Sequence, residues 1–140
     1  MKDDTIYSIL YEIDSRLECV SMVGISMAAL CKHYGIDETI CFQMETCVIE
    51  AINNSIIHAY EKKTDRKVWI EWSLQQNVLT IRVIDNGIAM SQAIPNTLVD
   101  PEKESGRGWF IMKQWTDSID YSSSNGKNTV TLRKILNQNT

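Results

Sequence analysis

The chain has 140 residues, 44% of them hydrophobic, and a formal net charge of −4, which is enough material for one domain with its own core. No Lys/Arg cluster is dense enough for a nucleic-acid footprint, and no apolar run is long enough to span a bilayer. The first residues, MKDDTIYS, do not read as a signal peptide, and Cys19, Cys31, Cys41 and Cys47 form no C-x-x-C pair, so reduced, buried thiols in a cytoplasmic protein are expected.

In chain order, the β-branched and aromatic run 5–13, TIYSILYEI, predicts a first strand. Ser15-Arg16-Leu17-Glu18 has the pattern of a capping box. Leu17, Val20, Gly24, Met27, Cys31 and Tyr34 then recur at helical spacing until Gly35 supplies the stop. Asp37 is the next N-cap, and the second helix is expected to run to about Lys62. Val68, Ile70, Trp72 and Leu74 alternate, and so do Leu79, Ile81 and Val83, which predicts a hairpin over 68–84. Residues 87–105 lack periodicity and read as a long functional loop. A short helix carrying Ile111, Met112 and Trp115 follows, then a strand with Ile119 and Tyr121. Asn125-Gly126 is a hairpin turn, and Val130 and Leu132 lie on the last strand. The order β-α-α-β-β-loop-α-β-β predicts an α+β fold, a two-layer sandwich with a mixed, mostly antiparallel sheet and helices on one face. The whole chain, 1–140, is expected to be a single domain.

Three segments carry the chemistry. In ETCVIEAINNSIIHAY (45–60), Glu50, Asn54 and His58 form a polar seam at i, i+4 and i+8 that drifts into an apolar stripe. Buried polar groups need partners. An Asn oxygen suits Mg²⁺, which keeps waters and takes phosphate oxygens, and a Glu one turn earlier can take a proton from a nearby hydroxyl. Asp85-Asn86-Gly87 ends a strand, where a carboxylate can accept from an exocyclic amine such as adenine's and a glycine lets backbone pass close. Gly106-Arg107-Gly108 opens a helix, whose free N–H groups and dipole favour phosphate, with Arg107 as a further charge. Taken singly, each segment also has a plain structural reading: a helix with a polar edge, a common turn, a loop end.

E-A-I-N-N-S-I-I-H-A-Y, V-I-D-N-G-I-A-M and S-G-R-G-W-F-I-M resemble the N, G1 and G2 boxes of the gyrase/Hsp90/histidine-kinase/MutL ATPase superfamily. The chain length, the H-A-Y ending and D-S-I-D-Y…G-K-N-T-V-T-L-R-K resemble more closely the bacterial anti-sigma factor serine/threonine kinases, over roughly residues 5–136. The resemblance implies a Bergerat-type ATP-binding fold with a lid loop at about 87–107. It implies Glu50 as the general base, Asn54 as the Mg²⁺ ligand, and His58 in a supporting role near the nucleotide. Asp85 would bind the adenine amine with Gly87 beside the base. Gly106 and Gly108 would line the phosphates, and Thr129 would stand near the adenine on a late strand.

The implied activity is ATP-dependent phosphorylation of a Ser or Thr on an anti-sigma factor antagonist of the STAS fold, by a homodimer that also sequesters a sigma factor. The other reading is a non-catalytic, nucleotide-dependent protein-binding switch of the same fold. Ala89 stands where many superfamily members have a second G1 glycine, and Glu104 where some have an arginine. These departures bear on catalytic rate more than on nucleotide binding.

Overall fold

The period-2 runs become a five-stranded sheet and the period-3.6 runs become helices on one of its faces. The structure is a computed structural model, and it describes residues 4–90 and 104–136. The elements are β1 (Ile6–Asp14), α1 (Leu17–His33), α2 (Glu38–Asn54), a π-helical turn (Ser55–Ala59), β2 (Lys67–Gln75), β3 (Val78–Asp85), α3 (Glu104–Trp115), β4 (Ser118–Ser124) and β5 (Lys127–Ile135). The sheet order is β1-β2-β3-β5-β4. All four pairings are antiparallel, so the sheet expected to be mostly antiparallel is antiparallel throughout the described residues. Most of the loop expected at 87–107 lies outside those residues.

One face of the sheet is buried. Val68, Ile70, Trp72 and Leu74 on β2 alternate with half-exposed neighbours, and Leu79, Ile81 and Val83 do so on β3. Against them pack Val20, Val23 and Met27 of α1, and Met44, Val48, Ala51 and Ile52 of α2. The side-chain period of two fixes this face, because a one-residue slip in any pairing would turn the whole apolar set to solvent. Both predicted hairpins close through two residues between strands. Gln76 takes φ 54° in the first, and Asn125 and Gly126 take φ 54° and 75° in the second, the positive-φ pair that suits a tight turn between twisted strands.

Gly35 ends α1 with φ 73°, and the Asp37 side chain caps α2 by accepting from the Thr39 N–H at 3.1 Å. The capping box expected at Ser15–Glu18 does not form. Arg16 is the N-cap and makes no side-chain cap bond. Ser15 is fully buried instead: its Oγ donates to the Lys63 carbonyl (2.5 Å) and accepts from the Arg66 N–H (3.1 Å), stitching the start of α1 to the turn before β2. A buried turn with free backbone groups outbids a solvent-exposed cap for the same hydroxyl.

Cys31, Cys41 and Cys47 are buried free thiols and Cys19 is half-buried. Burial pushes Cys31 and Cys47 up to about 12, so neither is a thiolate at neutral pH. Among the described residues, no helix is long and apolar enough to cross a membrane.

Candidate functional site

The second helix does not continue to Lys62. After Asn54 the chain makes a π turn, closed by the Tyr60 N–H bonding the Ser55 carbonyl five residues back at 2.9 Å. Glu61 and Lys62 then take φ 52° and 66°, ending the helix without a glycine. A π turn holds about one residue more than an α turn, so the fourth residue after Asn54 no longer stacks above it. His58 comes out exposed, with no hydrogen bond to any described residue. The polar seam expected over three positions is thus two residues long, Glu50 and Asn54.

Those two lie at the buried end of α2. The Asn54 Nδ2 is buried without a hydrogen-bond partner, and among the described residues only the Trp72 indole nitrogen shares that condition. An orphaned buried amide is costly. Rotating the amide by half a turn presents Oδ1 at the same place, so the position suits a ligand atom that the chain itself does not supply. The described residues hold no cluster of three or more His, Cys, Asp or Glu able to bind a metal. An Mg²⁺ at Asn54 is therefore compatible with the chain only if phosphate oxygens and water complete its shell.

Glu50, one turn earlier, packs on α3. A Cβ built on Gly108 would lie 2.6 Å from Glu50 Oε2. Burial holds the Glu50 carboxyl above its ordinary value of 4.5, and the guanidinium of exposed Arg107 draws it part of the way back. Gly106-Arg107-Gly108 was expected to open this helix. Instead α3 is already running at Glu104, which makes Gly106 its third residue and Gly108 its fifth. Only the first four N–H groups of a helix are free for a ligand. Gly106 is the last of that set, whereas Arg107 can offer its guanidinium and Gly108 provides room for the Glu50 carboxylate.

The other end of the site is a turn held from three sides. Asp85, at the end of β3, is buried, and its Oδ1 accepts from the Gly87 N–H (3.0 Å) and from Asn128 Nδ2 (2.7 Å). The Tyr60 hydroxyl accepts from the Asn86 N–H (2.9 Å) and shares its proton between the Lys67 carbonyl (2.6 Å) and Asn86 Oδ1 (2.8 Å). The Ile88 N–H donates to the Ala59 carbonyl at 2.9 Å, and the Met90 N–H donates to the Tyr121 hydroxyl at 2.8 Å. Gly87 is needed for closeness rather than for conformation: a Cβ there would lie 2.7 Å from the Ala59 carbonyl carbon and 2.8 Å from Tyr60 Cδ1. The π turn that ends α2 and the Asp85 turn are thus one packed unit, through Ala59 and Tyr60.

Thr129 is not on this face. It pairs with Ile84 across β3 and with Ser122 across β4, and strand alternation sends it to the side away from the helices. Its neighbour Asn128 pairs with Asp85 and is buried beside it. The same alternation that placed Val130 and Leu132 on the core face also assigns Asn128 to it, so the sequence carried this signal. Tyr60 was also legible as an aromatic closing the helix, although its hydroxyl contacts were not.

A half-buried carboxylate and an orphaned amide on α2, a carboxylate turn after β3 and a glycine-bearing first turn of α3 follow in this order along the chain, the arrangement expected of an ATP-binding module of the kind found in histidine kinases. Comparison with known proteins agrees. Residues 13–134 match the histidine kinase-like ATPase domain family. The anti-sigma F factor of Clostridium beijerinckii is 34% identical over 134 residues, covering 90% of this chain and 92% of that one. The anti-sigma F factor of Clostridium kluyveri is 33% identical over 138 residues, covering 93% and 95%. The chain belongs to the histidine kinase-like ATPase domain family, in its bacterial anti-sigma factor group. In fold it resembles the crystal structure of the RsbU and RsbW domains of Rv1364c from Mycobacterium tuberculosis, with a TM-score of 0.69 and 14% identity over 93% of this chain and 32% of that one.

Proposed function

We propose that this chain is an ATP-dependent serine/threonine protein kinase that binds a sigma factor and phosphorylates a STAS-type anti-sigma factor antagonist. The observation that carries the reading is the Glu50 carboxylate, seated against Gly108, the fifth residue of α3, and held above the ordinary carboxylate value by burial. A nucleotide-binding switch has no use for a poised base at the phosphate end. The anti-sigma F factor relatives support a sigma factor as one partner.

In this reading Asp85 accepts from the adenine amine, and Gly106 and Arg107 face the phosphates. Asn54 would hold Mg²⁺, which when bound neutralises charge on the transferred phosphoryl group. Glu50 takes the proton from the partner's Ser or Thr hydroxyl. That oxygen bonds to the γ-phosphorus while the bond to the β–γ bridging oxygen breaks, leaving ADP and a phosphorylated partner. Most of the acceleration comes from positioning and charge neutralisation, with proton removal adding roughly 10²–10⁴-fold.

The chain is taken to act in the cytoplasm as a single ATPase domain and a homodimer. The edge strand β1, with Ile6, Ile9 and Leu10 exposed, supports self-association, since unprotected apolar edges pair with other chains. Incubation with Mg-ATP and a candidate STAS protein, read by intact mass, tests the reading. A phosphate-sized gain that Glu50→Ala abolishes while nucleotide still binds is the expected result. Nucleotide-dependent partner binding with no mass gain would leave a non-catalytic switch, and undiminished transfer by Glu50→Ala would remove Glu50 from its role.

A further inference from the structure

Asn128 joins Asp85 to both sides of the turn that follows it. It is 3% exposed. Its Oδ1 accepts from Ser123 Oγ at 2.7 Å, and its Nδ2 donates to Asp85 Oδ1 at 2.7 Å and to the Gly87 carbonyl at 3.0 Å. Both amide protons are used, so the group has one stable orientation: turned over, its oxygen would face two acceptors and its nitrogen would lose them. The Gly87 N–H gives Asp85 Oδ1 a second bond at 3.0 Å. One carboxylate oxygen is therefore committed to two donors. The other, Oδ2, accepts from no described residue.

We propose that Asn128 is a specificity-determining positioning residue, which holds Asp85 so that Oδ2 is presented as a pure acceptor and selects a purine with an amine at C6 over one with a carbonyl there. The inference rests on the reading of Asp85 as the base-binding carboxylate. A carbonyl facing Oδ2 would set two buried acceptors against each other, and sites built for one hydrogen-bonding partner reject its opposite far more strongly than shape alone can. Asn128 fixes which oxygen faces the base and at what angle. Ser123, exposed on β4, fixes Asn128 in turn.

The test compares ADP with inosine diphosphate as ligands of the full chain. Asn128→Thr keeps a hydroxyl donor near Asp85, and Asn128→Val has the same shape without one. Wild type and Asn128→Thr are expected to prefer ADP by about a hundredfold or more, and Asn128→Val to lose about tenfold or more of that preference while melting with the Thr variant. Ser123→Ala, a surface change that leaves the fold intact, releases the amide and is expected to lower the preference in the same direction, by less. Wild-type selectivity retained in Asn128→Val, or in Ser123→Ala should Asn128→Val fail to fold, overturns the role of Asn128 alone. A wild type that binds neither nucleotide overturns the ATP reading and this inference with it.

Discussion

Glu50 Oε2 occupies the space in which a side chain on Gly108 would begin, 2.6 Å from the position of its Cβ. The proposed base on α2 and the helix α3 therefore meet through a missing methyl group. Gly108→Ala gives a clean prediction. The atom displaced is the far end of a flexible side chain rather than backbone, so the fold should melt close to wild type. The carboxylate, however, must move, and misplacing a catalytic group by about an ångström costs on the order of a hundredfold in rate. Single-turnover transfer should fall by that order while ADP affinity changes little. An equal loss of both would show that Gly108 serves the nucleotide and not Glu50.

Glu50 also predicts two pH effects. Burial raises its carboxyl above 4.5 and Arg107 opposes this. A base works ionised, so transfer at saturating ATP should rise with pH through a value above 4.5, and Arg107→Ala, which removes the opposing cation, should move that limb to higher pH. For stability the sign is reversed. The fold binds this proton more tightly than the unfolded chain does, so ionisation of Glu50 works against folding. That cost is absent below the ordinary value and is complete above the raised one. Glu50→Gln should accordingly melt higher than wild type at mildly alkaline pH and equal to it in acid. A melting difference that is unchanged across this range would sink the assignment.

Much of this was legible in the sequence, for a physical reason. Burial on one face of a sheet forces alternation, and Val68, Ile70, Trp72 and Leu74 write it without interruption. Asn125-Gly126 and Gly35 announced positive φ. What could not be read was competition between partners. Ser15 had the form of a cap, yet its hydroxyl went to the Lys63–Arg66 turn, 48 to 51 residues away. The π turn at Ser55–Ala59 is tied to distant chain by bonds such as that from Ile88 to Ala59, which helical periodicity, continuing straight through to His58, does not register. Thr129 lies on the face away from the helices while its neighbour Asn128 is buried beside Asp85, and in a strand one residue is the difference between two faces.

Tyr60 yields a prediction about coupling between the two ends of the site. Its hydroxyl accepts from the Asn86 N–H and donates toward the Lys67 carbonyl, in a side chain that is 3% exposed. Tyr60→Phe keeps the ring that packs on Gly87 but strands a backbone donor and a carbonyl. Leaving a buried polar group unpaired costs about 1–3 kcal/mol. Both the melting temperature and ADP affinity should fall, because the stranded groups flank the Asp85 turn. If stability drops while ADP affinity is unaltered, the turn is held independently of Tyr60 and the coupling is absent.

Asn54 provides the sharpest separation of stability from function. Its amide nitrogen is buried at the end of α2 with no hydrogen-bond partner, a local violation of the rule that buried polar groups are paired, and such violations concentrate at functional sites. Replacing it removes an unsatisfied group and leaves the methyl of a good helix former. Asn54→Ala should therefore melt at or above the wild-type temperature without ligand, by up to about 1 kcal/mol in stability, since most gains of this kind are of that size. With nucleotide present the order should invert. Wild type is expected to bind ATP more tightly when Mg²⁺ is added, and chelation should reverse the gain. Asn54→Ala should show the same weak affinity with or without the ion. Titrating ATP into both proteins, with Mg²⁺ and with chelator, measures the difference directly. Equal responses to Mg²⁺ in the two proteins would mean that the ion, if it binds, is held by phosphate and water alone, and that the orphaned amide faces something else.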